Sequence, residues 1–233
     1  VGLLIAWGVA VPLLTATHPV AGDPGAAAIS VWKSQVKLIG AGTIAAAALW
    51  TLGKLAVPVW TGLLSALAAS RRSPDTPYDL AEHDIPIWVV GLVCVACLVP
   101  MAWLMHAFLS GPAGAPVHGM ILPLVIGGLV YVTVVGFLAA AVCGYMAGLI
   151  GSSNSPVSGL IILGVLGAAL LLVLAAKSTV GPAGEPALVA FSLLVSALLV
   201  SVATVANDNL QDLKTGQLVG ATPWRHETAL VAG

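Results

Sequence analysis

Long apolar runs alternate along the chain with short polar interruptions, and the lengths of those runs predict its elements. A helix needs ~20 mostly apolar residues to cross a hydrocarbon core roughly 30 Å thick at 1.5 Å rise per residue. That ruler predicts five or six spans, at about 1–17, 34–69, 85–109, 120–147, 157–176 and 187–206. The second run is interrupted only by Lys37 and Lys54, and at ~54 Å if straight it is too long for one vertical crossing. Pro58 together with Lys54 predicts a break there, leaving a crossing followed by either an interfacial helix or a re-entrant segment. Two polar stretches, RRSPDTPYDLAEHD and NDNLQDLKTGQLVGATPWRHE, predict aqueous loops at 70–84 and 207–228, the second with room for a short helix. No period-2 alternation bounded by turn residues repeats along the chain, which argues against a β-barrel. The expected fold is all-α, a polytopic transmembrane helix bundle forming one membrane domain over 1–233.

Composition strengthens this reading. Only 17 of the 233 residues are Lys, Arg, Asp or Glu, about 7% where a soluble domain has roughly 25%. None of them falls between Ile85 and Ala176. Such a chain cannot cover its surface with polar side chains, so its solvent is lipid. A net charge of −1 with scattered cations offers no field for nucleic acid. Cys94, Cys97 and Cys143 lie inside apolar runs, where neither a disulfide framework nor a metal site would have companions. No phosphate-binding loop or HExxH helix is present, and no cofactor or metal is expected. The chain has no initiator Met and begins inside an apolar run, so it reads as an internal piece of a longer membrane protein. If 34–69 crosses once, Arg71, Arg72, Lys214 and Arg225 share a side against Lys33 and Lys177. The excess of cations then places loops 70–84 and 207–228 in the cytoplasm.

Candidate chemistry concentrates in GLIGSSNSPVSGL, Gly148 to Leu160, which interrupts the uncharged region with Ser152, Ser153, Asn154, Ser155 and Pro156. Gly148 and Gly151 can end one helix, Asn154 or Ser155 can cap the next, and Pro156 suits its first turn. Two half-helix ends flanking a short polar backbone can hold a substrate carboxylate or a coupling cation. The same residues can also form a plain polar turn at the membrane surface. Gly144, Gly148, Gly159, Gly164 and Gly167 predict close helix packing. Lys54 is an intramembrane cation, either functional or snorkelling to the interface. His106 and His118 are proton-relay or interfacial groups near span ends. Every Asp and Glu falls in a predicted aqueous loop, so no embedded carboxylate pair is expected. A channel with a re-entrant filter is the alternative reading, and a Ser/His intramembrane hydrolase the third.

At GYMAGLIGSSNSPVSGL and at NDNLQDLKTGQLVGATPWRHETAL the sequence resembles the oligopeptide transporter (OPT) superfamily, in particular prokaryotic members related to the yellow stripe-like metal-chelate carriers. WGVAVPLL and KLIGAGTIAAAALWTLGKL agree with that resemblance. It implies a secondary transporter, not an enzyme, usually proton-coupled, moving small peptides or peptide-like metal chelates by alternating access in a bacterial inner membrane. Carried to these positions, Ser152, Ser153, Asn154 and Ser155 would contact substrate at a helix break marked by Gly148, Gly151 and Pro156. Lys54, Asn207, Asp208 and Asp212 are the candidates for gating or coupling, with Asn209, Lys214 and Thr215 in the same aqueous element. An oligomer is compatible with all of this.

Overall fold

The computed structural model describes residues 1–17, 22–69 and 84–232. Most of the polar stretch 70–84, with Arg71 and Arg72 on which the orientation rests, lies outside them. The described residues form helices joined by short turns. A wide π-turn, Leu4–Ala10, leads into α1, Val11–Thr17, and α2 covers Pro24–Val31. A second π-turn, Trp32–Val36, joins α2 to α3, Lys37–Ala69. Then come α4, Ile87–Ser110; α5, Ile121–Ile150; α6, Val157–Val180; α7, Glu185–Leu218; and α8, Pro223–Ala232. Among the described residues five helical segments are long and apolar enough to cross a membrane, and Leu4–Thr17 is a shorter apolar helix.

The chain divides into two units, Val1–Trp50 and Thr51–Gly233. In the first, Asp23 caps α2 by accepting the Ala26 N–H at 3.1 Å, and Pro24 at the first helical position spares an orphan donor. Val11, Val31 and Val36 are buried together, and Trp7 stacks on Trp32 with ring centroids 5.9 Å apart.

The second unit is organised around α5 and α7, which run parallel in closest association. Gly128, Gly136 and Gly144 of α5 are the positions where neighbouring side chains come closest to its backbone. A Cβ at Gly128 would meet Met105 and Phe191, one at Gly136 would meet Leu199, and one at Gly144 would lie 2.9 Å from Leu210. The α6 glycines act similarly, Gly164 against Leu199 and Gly167 against the Tyr131 ring. Tyr131 donates its hydroxyl to the Gly164 carbonyl at 2.6 Å, satisfying a polar tip that lipid could not. Met105, Leu109, Leu124, Val132, Phe191, Val195 and Leu199 fill the centre. Large apolar side chains remain outside, among them Trp60, Trp88 and Trp103, each more than 60% exposed. In water this would be a liability; in a bilayer it is the solvated surface.

Two boundaries differ from expectation. Residues 37–69 form a continuous helix with Pro58 inside it, so the predicted break near Lys54 and Pro58 is absent. Proline removes the one N–H that would reach the carbonyl of residue 54, and in lipid the other peptide groups have no better partners than those of a continuing helix. The second correction concerns 207–228: α7 continues unbroken through Leu218, and after a turn at Val219–Thr222 α8 follows. Asn, Asp, Gln and Lys are tolerable in a helix when it is already nucleated by a long apolar segment.

Candidate functional site

The interruption between α5 and α6 is real. α5 ends at Gly151, whose backbone sits at φ +85°, ψ 158°, a region essentially reserved for glycine. Its N–H still bonds the Ala147 carbonyl at 2.9 Å. Ser152–Asn154 make one 3₁₀ turn, Ser155 is extended, and the Pro156 carbonyl accepts the first bond of α6, from Leu160 at 3.1 Å. Pro156 therefore stands just before the helix, not in its first turn. The side chains of Asn154 and Ser155 bond back to α5, Asn154 Nδ2 to the Ile150 carbonyl and Ser155 Oγ to that of Cys143, both at 3.4 Å. The Ile150 carbonyl is among those left orphaned where a helix stops, whereas the Ser155 bond ties the turn back to the body of α5.

The freed backbone at Ser152 is held by α7. Gln211 Oε1 accepts the Ser152 N–H at 2.9 Å, and Asn207 Nδ2 donates to the Ser152 carbonyl at 3.3 Å. Residues 207 and 211 are one helical turn apart and so share a face. Gln211 thus replaces the peptide partner that an unbroken helix would have given the Ser152 N–H, while Asn207 adds a second donor to a carbonyl that already accepts the Ser155 N–H at 3.3 Å. The Asn207 amide has a determined orientation, because the atoms facing its nitrogen, the Ser152 carbonyl and the Asp208 carboxylate at 3.4 Å, are both acceptors. Its oxygen is buried and unpaired among the described residues.

Depth follows from helix lengths. If the apolar stretch Ala187 to Ala206 of α7 matches a hydrocarbon core of roughly 30 Å, Asn207 lies at its edge. The clasp therefore belongs at one end of the bundle, where Asp84, Lys214 and Glu227 also line a cavity with Gly148. At the opposite end His106 and His118 line a separate cavity of about 360 Å³, with His106 Nδ1 3.4 Å from Ser110 Oγ.

Of the residues singled out from sequence, Ser152, Ser155, Asn207 and Asp208 come together. Ser153 and Asn154 are exposed beside them, and Asp212 is exposed further along α7. Lys54 is exposed on α3, whose Leu52, Leu55 and Val59 pack on the cluster of Ala139, Val142, Cys143, Leu160 and Ala203. Sequence reading missed Gln211, although its i, i+4 relation to Asn207 was a usable signal. It also missed Gly128 and Gly136, the α5 glycines nearest the core.

An all-helical bundle with five apolar helices of spanning length and a broken-helix segment defines an integral membrane protein of the polytopic α-helical class. The chain belongs to the OPT oligopeptide transporter protein family, whose model matches residues 1–233. It is similar to a protein of Haemophilus influenzae named "Putative oligopeptide transporter", with 36% identity over 243 residues, covering 100% of this chain and 37% of that relative. The chain thus spans little more than a third of the length of the relative it matches. No solved structure matches it.

Proposed function

We propose that this chain forms part of a secondary carrier, in a bacterial inner membrane, that moves small peptides or peptide-like metal chelates by alternating access with protons as the coupling ion. Family membership supports the transport reading, and a relative whose name specifies oligopeptides supports the substrate class. The observation that carries the site is the clasp: a helix break whose backbone is held by two side chains of a neighbouring helix. Backbone held that way can exchange partners, unlike backbone locked in its own helix. In this reading Ser153 and Asn154 meet the substrate first, and Ser152 and Ser155 join when the clasp loosens. The N-terminus of α6 favours the substrate carboxylate. Asn207 acts as a gate, and Asp208, Asp212 and Lys54 remain candidates for gating or coupling. Both halves of the clasp come from one chain, which favours a carrier over a filter built around an oligomer axis.

The test is uptake by the complete protein in proteoliposomes. Asn154→Leu is expected to abolish uptake while membrane insertion is unchanged; undiminished uptake would remove Asn154 from the site. Comparing di- to pentapeptides with ferric and nickel chelates, with and without an inward proton gradient, tests substrate and coupling. Uptake indifferent to the gradient would contradict proton coupling.

A further inference from the structure

The cavity beside the clasp has a volume of about 280 Å³ and is lined by groups of both charge signs: Asp84, Lys214, His226 and Glu227. Three elements meet there: the residues leading into α4, the last turns of α7, and α8. Asp84 accepts the N–H of Ile85 at 2.7 Å, and its carboxyl group is also hydrogen-bonded to that of Glu227. Two carboxylates have no donor between them, so a hydrogen bond joining them requires one shared proton. Of the other polar groups around the cavity, Lys214 Nζ is engaged with Gln217 Oε1 at 2.8 Å. The His226 ring is packed against Gly216, where a Cβ would overlap it. On α8 itself, the Arg225 guanidinium stacks over Trp224 at 5.4 Å. No described cation is thus shown paired with Asp84 or Glu227.

We propose that Asp84 and Glu227 form a proton-operated latch, which fastens α8 to the start of α4 while one proton is shared and releases it when that proton is lost. The step involves no other chemistry: the shared proton leaves to water, two carboxylates remain, and their repulsion separates the elements. Partial burial, then the charge of Asp84 and the hydrogen bond to it, push the Glu227 carboxyl from 4.5 up to about 7. The latched state thus holds its proton more tightly than the released state. Its stabilisation is fully present below about 4.5 and is lost as the pH rises through about 7. The latch needs no transport substrate and does not depend on the transport reading.

The experiment uses the complete protein in zwitterionic lipid nanodiscs. Cys94 and Cys97 are replaced by serine, and spin labels are placed at the exposed positions Val90 and Val231. Double electron–electron resonance is recorded between about pH 5 and about pH 9, a window that brackets the shifted carboxyl. The expected result is one narrow distance at acidic pH and a longer, broader population growing through neutrality. Glu227→Gln and Asp84→Asn each supply a permanent amide donor to the remaining carboxylate, so both variants should stay narrow at every pH. A distance that ignores pH in the unmutated protein, or a transition that survives in both variants, overturns the latch.

Discussion

Two regions of the second unit carry helix-breaking residues and behave in opposite ways. Pro58 and Pro100 lie inside α3 and α4, and both helices continue through them. At Gly151 to Pro156 the helix stops, turns once as 3₁₀ and restarts. A single proline removes one donor, at a cost near 3 kcal/mol in water, and an apolar helix with lipid around it has no better alternative than to continue. Stopping requires more than a weak residue. It requires a glycine able to take positive φ, several residues that bond their own backbone, and a neighbour offering partners to what is freed. Gly151, the run SSNS, and the pair Asn207 and Gln211 meet those three conditions.

That comparison can be broken most severely at Asn207. Asn207→Asp keeps the shape but sets a carboxylate against the Ser152 carbonyl and Asp208, where an uncompensated buried charge costs about 3–5 kcal/mol. Thermal unfolding of the complete protein in detergent should show a large loss at neutral pH and partial recovery in acid, where a protonated Asp can again donate. Equal stability at both pH values would mean that position 207 does not clasp. Gly151→Ala should cost ~1–3 kcal/mol, because it forces a side chain into backbone that only glycine adopts freely; a neutral substitution would show that the turn is not built on positive φ. Gln211→Leu removes an exposed bond to the Ser152 N–H and should cost about 0.5–1.5 kcal/mol in the same measurement. Pro58→Ala should leave uptake unchanged, since its helix is already continuous, and stability in the same measurement should not fall, because alanine restores the missing helix donor. A marked change in uptake would make Pro58 a hinge and erase the contrast.

The sequence shows much of this, unevenly. The spans were legible because hydrophobicity over ~20 residues is a property of each segment by itself. The break at Ser152 to Pro156 was legible for a similar local reason: three serines, an asparagine and flanking glycines have no helical alternative worth keeping. What joins the break to NDNLQD was not legible, because Ser152 and Asn207 are 55 residues apart and meet only through the packing of α5 on α7. The polarity of that second segment suggested a loop. In fact it is helix, since a long apolar stretch before it had already met the cost of nucleation. Pro58 misled in the other direction, because one missing N–H does not end a helix whose other peptide groups have no better partners in lipid. The pairing of Asp84 with Glu227 was hidden by the expectation that both sit in separate aqueous loops.

The central claim is that the helix break is held by α7 and must let go during transport. A disulfide between cysteines placed at Ser152 and Asn207 of the complete protein, with Cys94 and Cys97 replaced by serine, tests it directly, provided the cross-link is verified by mass spectrometry. Oxidation is expected to arrest peptide uptake into proteoliposomes, and reduction to restore it to the level measured before cross-linking. Undiminished uptake by protein shown to be cross-linked would contradict the account.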